Sequence, residues 1–125
     1  MLAEHIALQE NETTLVNTSQ GYVKINVNDI NYIDIVKRNL CYHLVDNSEV
    51  LSVTIRKAFT NYIGAFQHNT NFIFIEPAFL INLNQITRLE QDRVEFKNGS
   101  IAYINKKQYT SIKAAWSKQK RATPT

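Results

Sequence analysis

The side chains of this chain best placed to do chemistry are its cations, and they are unevenly distributed. Residues 1–95 carry eleven acids and seven bases, a balance of −4. Residues 96–125 carry Lys97, Lys106, Lys107, Lys113, Lys118, Lys120 and Arg121 with no acid, a balance of +7. An acid-free end suits a polyanionic partner; the plainer reading is a basic tail that only solubilises. A second basic pair, Lys37-Arg38, interrupts two apolar runs. Ammonium and guanidinium groups hold phosphate oxygens by charge-assisted hydrogen bonds, and arginine often does so with two parallel bonds.

Nucleophile and metal chemistry find less support. Gly21, Gly64 and Gly99 are isolated, so there is no glycine-rich phosphate loop. His5, His43 and His68 are scattered, and only Cys41 could join them, so neither a metal nor a cofactor is expected. Cys41 sits in an apolar stretch and reads as a buried, inert thiol; only Lys37 or Arg38 is near enough in sequence to favour a thiolate. His43, two residues on, reads as a satisfied strand histidine. The carboxylates are dispersed and form no local acid–base pair. The chain is therefore not expected to be an enzyme.

The elements that must position the cations are mostly strands. At 125 residues and 44% hydrophobic content the chain is one domain with an adequate core. No apolar run approaches the roughly 18–20 residues of a membrane-spanning helix, and the acidic start MLAEHIALQENE lacks a signal-peptide pattern. One cysteine cannot staple the fold, which fits a reducing, cytoplasmic setting. Residues 1–12 read as a linker or flexible end, 13–117 as the domain, and 118–125 as a basic tail.

Thr13–Asn17, Tyr22–Val27, Ile30–Val36, Leu40–Val45 and Glu49–Val53 read as strands of an antiparallel meander joined by short polar turns. On the third strand, Ile30, Tyr32 and Asp34 are assigned to one face and Ile33 and Ile35 to the other. The period then changes: Ile55, Ala58, Phe59, Tyr62, Ile63 and Phe66 recur at helical spacing, which predicts an amphipathic helix at about 54–67 capped by Thr54. Residues 72–107 read as four short strands, with Asn98-Gly99 marking a hairpin and Gln91-Asp92 an earlier turn. Asn105 caps a last helix at roughly 106–120, lined by Tyr109, Ile112 and Trp116.

Several stretches, in order and spacing, resemble the LytTR DNA-binding domain, the output module of LytR/AlgR-type bacterial response regulators. Asp29–Asp34 (DINYID) is similar to the family's DI-x-YIE. Phe72–Leu83 (FIFIEPAFLINL) is similar to F-x-R-x-HRSYLVNL, Phe96–Gly99 (FKNG) to l-x-nG, and Ile101–Tyr109 (IAYINKKQY) to ipvSRRyy. The resemblance spans about residues 13–117. It implies a mainly β fold of packed antiparallel sheets with one helix between strands and a short C-terminal helix. It also implies DNA contact through loops: Lys37, Arg38, Asn39 and Leu40; Glu76, Pro77 and Ala78; and Asn105, Lys106 and Lys107. The middle set departs from the family, which has His, Arg and Ser there, with Arg where Phe74 stands. Glu76 repels phosphate, although it can accept from a cytosine amino group. Asn82 matches the family's Asn and is expected to fix a turn.

The function implied is a DNA-binding module of a bacterial transcriptional regulator in a two-component system, acting on double-stranded DNA. Its expected partners are a second copy on DNA and a receiver domain or sensor-kinase pathway, with no membrane. The Glu76 segment keeps a second reading open: a protein-interaction or ligand-responsive module on the same fold with reduced DNA binding. An RNA-binding β domain is a third, favoured only if aromatic side chains lie open on a sheet face.

Overall fold

The structure, a computed structural model, describes residues 12–66 and 68–122. The expected linker therefore lies outside the described residues except for Glu12, and so does the end of the basic tail at 123–125. Among the described residues ten strands form three antiparallel sheets. β1 (Thr13–Thr18) pairs with β2 (Gly21–Asn26) as a hairpin. β3 (Ile30–Val36), β4 (Asn39–Leu44), β5 (Glu49–Thr54), β6 (Phe72–Ile75) and β7 (Phe79–Asn82) form a five-stranded sheet in the order β5-β4-β3-β7-β6. β8 (Ile86–Glu90), β9 (Arg93–Phe96) and β10 (Ile101–Tyr103) form the third, with β9 central. One α-helix, α1 (Lys106–Ala122), closes the described chain.

The stretch 72–107 thus holds five strands rather than four. Phe72 to Asn82 is a hairpin broken at Glu76-Pro77-Ala78, because Pro77 has no N–H to continue a ladder. The Asn98-Gly99 hairpin is present. Gly99 N–H donates to Phe96 O, Phe96 N–H donates to Ser100 O, and Gly99 takes φ +89°, a conformation open to glycine at little cost. Asn105 does cap α1: its Oδ1 accepts from Gln108 N–H, while Gln108 Oε1 accepts from Asn105 N–H. The helix runs on to Ala122, so 118–122 continue it.

The five-stranded sheet separates two cores. On one side Ile30, Ile33, Leu40, Tyr42, Phe72 and Leu80 pack with Val16 and Ile25 of the β1–β2 hairpin and with Ile55, Phe59, Ile63 and Phe66. On the other, Ile75, Phe79 and Ile81 pack with Val94, Phe96 and Ala102 of the third sheet and Ile112 of α1. Trp116 and Ala115 of α1 are half-buried against the same cluster. Fully burying each of these side chains contributes roughly 1.5–3 kcal/mol.

Two expectations are corrected. The segment 54–67 is not an amphipathic α-helix. Thr54 stays in β5 opposite Asn39, and Ile55 N–H donates to Arg38 O, so the proposed cap belongs to the sheet. The N–H groups of Arg56 and Lys57 donate to Tyr62 Oη, and only two 3-10 turns form, Phe59–Asn61 and Gly64–Phe66. Gln67 lies outside the described residues. The apolar spacing still buries Ile55, Phe59, Ile63 and Phe66, but the stretch is rich in β-branched, aromatic, Asn and Gly residues of low helix propensity. The second correction is on β3. Its pairing with β4 shifts register between Ile30 and Tyr32, and such a bulge reverses the alternation. Ile30 therefore joins Ile33 and Ile35 in the first core, opposite Tyr32 and Asp34.

Candidate nucleic-acid interface

The first two basic or loop segments meet because of strand order. β3 and β7 are antiparallel neighbours with Ile33 opposite Leu80. The chain leaving β3 toward Lys37-Arg38 therefore runs beside the chain entering β7 from Glu76-Pro77-Ala78. Both tips lie at one end of the sheet. The third segment reaches the same end, because Ala78, Phe79 and Asp34 line a shallow depression together with Tyr103 and Gln108 of the first turn of α1. Lys106 and Lys107, just before Gln108, are exposed, as are Lys37, Arg38, Glu76 and Pro77.

Within the first segment the residues differ in role. Lys37 and Arg38 form the whole connection, since Val36 pairs with Asn39, and both take positive φ, 50° and 68°. Arg38 Nη2 donates to Ile55 O at 2.9 Å, which fixes the guanidinium against the end of β5. Asn39 Nδ2 donates to Ser52 O at 2.7 Å. Leu40, among the contact residues that the resemblance implies, has its side chain in the first core at 2% exposure, with its N–H donating to Ser52 Oγ. Its side chain anchors the loop from beneath. Asn105 is exposed, but its Oδ1 is engaged in the helix cap.

The fold adds two cations, Arg56 and Lys57, from the segment expected to be a helix. Because Thr54 pairs with Asn39 and Ile55 accepts from Arg38, exposed Arg56 and Lys57 follow directly beside the Lys37-Arg38 turn. The signal available in sequence was the pairing of β4 with β5, which brings the two basic pairs to one sheet end. At the third segment, the N-terminus of α1 has no acidic residue in its first turn. Its free N–H groups carry partial positive charge, which favours an anion there. Asn82 fixes a turn as expected: its Oδ1 accepts from Asn84 N–H, and its Nδ2 donates to Ile30 O at 2.9 Å in the interior.

Beside this surface, on the second face of β3 and β4, lies a cluster of ionisable groups. His43 sits between two carboxylates, with Nε2 2.9 Å from Asp34 Oδ1 and Nδ1 3.1 Å from Glu49 Oε2. Its ring stacks on Tyr32 at 4.0 Å between centroids, and Tyr32 in turn stacks on Phe96 at 5.4 Å. Cys41 is opposite Asp34 in the β3–β4 register and is buried. Burial, then the charges of Glu49 and Asp34, push the Cys41 thiol up to about 12. Burial likewise raises the Tyr32 and Tyr42 hydroxyls, the latter to about 12.

A family model described as the LytTr DNA-binding domain matches residues 20–117 of the chain. Among solved structures, the chain is similar to the LytTr DNA-binding domain of a Bacillus cereus protein described as a methyl-accepting/DNA response regulator. That likeness has a TM-score of 0.64 at 13% sequence identity, and it covers 85% of this chain and 96% of the other. No curated protein matches the sequence.

Proposed function

Because the chain belongs to the LytTR DNA-binding domain family, we propose that it is the output module of a bacterial transcriptional regulator that grips duplex DNA at one end of its central sheet. The observation that carries this reading is the meeting of Lys37-Arg38 and Arg56-Lys57 beside the Glu76–Ala78 turn, with the N-terminus of α1 behind it. Lys37, Arg38, Arg56, Lys57, Lys106 and Lys107 hold phosphates, and the α1 N-terminus adds its dipole to the last two. Asn39, Pro77, Ala78 and Asn105 shape the contact, and Leu40 holds the first loop in place. Glu76 stands at the middle of the surface, where it excludes a phosphate and accepts from an exposed cytosine amino group.

In this reading residues 13–117 form the binding unit. It works in the cytoplasm within a two-component pathway, next to a receiver domain or under a sensor kinase, and occupies DNA as a homodimer. Two linked copies gain affinity through effective concentration. Exposed Glu76, in place of the family's basic segment, favours the second reading, a protein-interaction or ligand-responsive module with reduced DNA binding.

Fluorescence anisotropy with a mixed-sequence duplex at two salt concentrations separates these readings. Each neutralised phosphate adds about 0.9 to the salt slope, so the six cations together give a slope of about 5. Arg38→Ala and Lys107→Ala are each expected to weaken binding and flatten that slope by about 0.9. If neither changes affinity, the surface is wrongly assigned. No binding at low salt favours the second reading.

A further inference from the structure

The cluster around His43 gathers three kinds of metal-ligating side chain at one point. A neutral imidazole has one N–H and one lone-pair nitrogen. His43 Nε2 is hydrogen-bonded to Asp34 Oδ1 at 2.9 Å, and its Nδ1 lies 3.1 Å from Glu49 Oε2. Two carboxylates therefore flank one imidazole ring. The third donor at the same point is Cys41 Sγ. One ligand atom each from Asp34, Cys41 and His43 falls within 4.8 Å of the others.

We propose that Asp34, Cys41 and His43 bind a divalent transition-metal ion of the zinc class, with Glu49 as the positioning residue for His43. The donor set is one carboxylate oxygen, one imidazole nitrogen and one thiolate sulfur. Nitrogen and sulfur donors exclude magnesium and calcium, and the mixture with oxygen suits zinc. Metal–ligand distances of about 2.0–2.3 Å place tetrahedral donors roughly 3.3–3.8 Å apart. Asp34 Oδ1 and His43 Nε2 therefore open by about half an ångström, and Cys41 Sγ closes by up to about one. The fourth position is left to water.

The surroundings fit a built site. Glu49 on the distal ring nitrogen repeats the arrangement in which a carboxylate fixes the tautomer and orientation of a metal-bound histidine. Tyr32, stacked on the ring, holds its plane. Asp34 is the accessible member, with its side chain 36% exposed, and gives the ion a way in. Binding forms the metal–sulfur bond as the Cys41 S–H bond breaks, and the thiol proton passes to solvent; any proton on His43 Nε2 leaves in the same way.

The test does not depend on DNA binding. The full chain, stripped with a chelator, is titrated with cobalt(II) and then with zinc(II) in competition. Cys41 is the one cysteine of the chain, so a thiolate-to-cobalt charge-transfer band in the near ultraviolet reports on that side chain alone. The expected result is such a band with tetrahedral visible bands, saturating at one ion per chain and erased by zinc. Cys41→Ser removes the band, and Asp34→Asn and His43→Ala weaken binding at least 100-fold. Glu49→Gln keeps the band and weakens binding 10- to 100-fold. Variants are compared where the far-ultraviolet circular dichroism of the wild type is retained. Absence of the band in the wild type overturns the site. Unchanged affinity in His43→Ala overturns it too.

Discussion

The Lys37-Arg38 turn invites a test in which stability and binding move in opposite directions. Both residues take left-handed φ values, in a two-residue connection between paired Val36 and Asn39. Two-residue hairpins of this kind favour Asn-Gly, because left-handed backbone is unfavourable by roughly 1–2 kcal/mol for an ordinary side chain. The double variant Lys37→Asn, Arg38→Gly relieves about 3 kcal/mol of that strain. It gives up the Arg38–Ile55 hydrogen bond, worth about 1 kcal/mol. The added glycine frees the unfolded chain by about another 1 kcal/mol. The net expectation is a gain of about 1 kcal/mol, or about 3–4 °C in Tm for a chain of this size.

Duplex binding is expected to fall in the same variant. Two lost phosphate contacts reduce the salt slope by about 1.8, and at 0.1 M salt affinity drops by roughly 60-fold. Urea denaturation and anisotropy titrations at two salt concentrations measure both quantities. A variant that is less stable than the wild type and binds DNA as tightly refutes the reasoning on both counts. A rise in stability with unchanged affinity keeps the strain but removes these cations from the interface.

Asn82→Ala leaves Ile30 O without its buried donor and removes an acceptor from Asn84 N–H, so a loss of about 2–3 kcal/mol is expected by urea denaturation. Alkaline pH should destabilise the metal-free protein through Cys41 and Tyr42, whose native pKa values are pushed by burial to about 12, above those of the unfolded chain. The native state then holds more protons than the unfolded one. Stability is therefore flat below about pH 8.5 and falls progressively toward pH 12, and Cys41→Ala lessens the early part of the fall. A flat stability profile from pH 8 to 11 contradicts the burial of both groups.

The strands were legible where alternation and turn chemistry agreed. The Arg93–Phe96 run followed by Asn98-Gly99 specifies β9 and its turn, since local sterics act between near neighbours in the chain. The Asn105 cap of α1 was legible for the same reason. Residues 54–67 were misread because period 3.6 and a string of 3-10 turns can bury the same apolar positions. What decided between them was the Asn39–Thr54 pairing and the Ile55–Arg38 bond, both made with a distant strand.

The sequence by itself determined the strand-rich class, the two basic pairs and the acid-free C-terminal end, because composition and short-range spacing are written in order along the chain. Tertiary structure alone decided that Arg56-Lys57 stands beside Lys37-Arg38, and that Asp34, Cys41 and His43 converge with Glu49. The physical reason is register. Hydrogen bonding between strands sets which side chains face one another, and a single bulge in β3 reassigns a face in a way that no local pattern records.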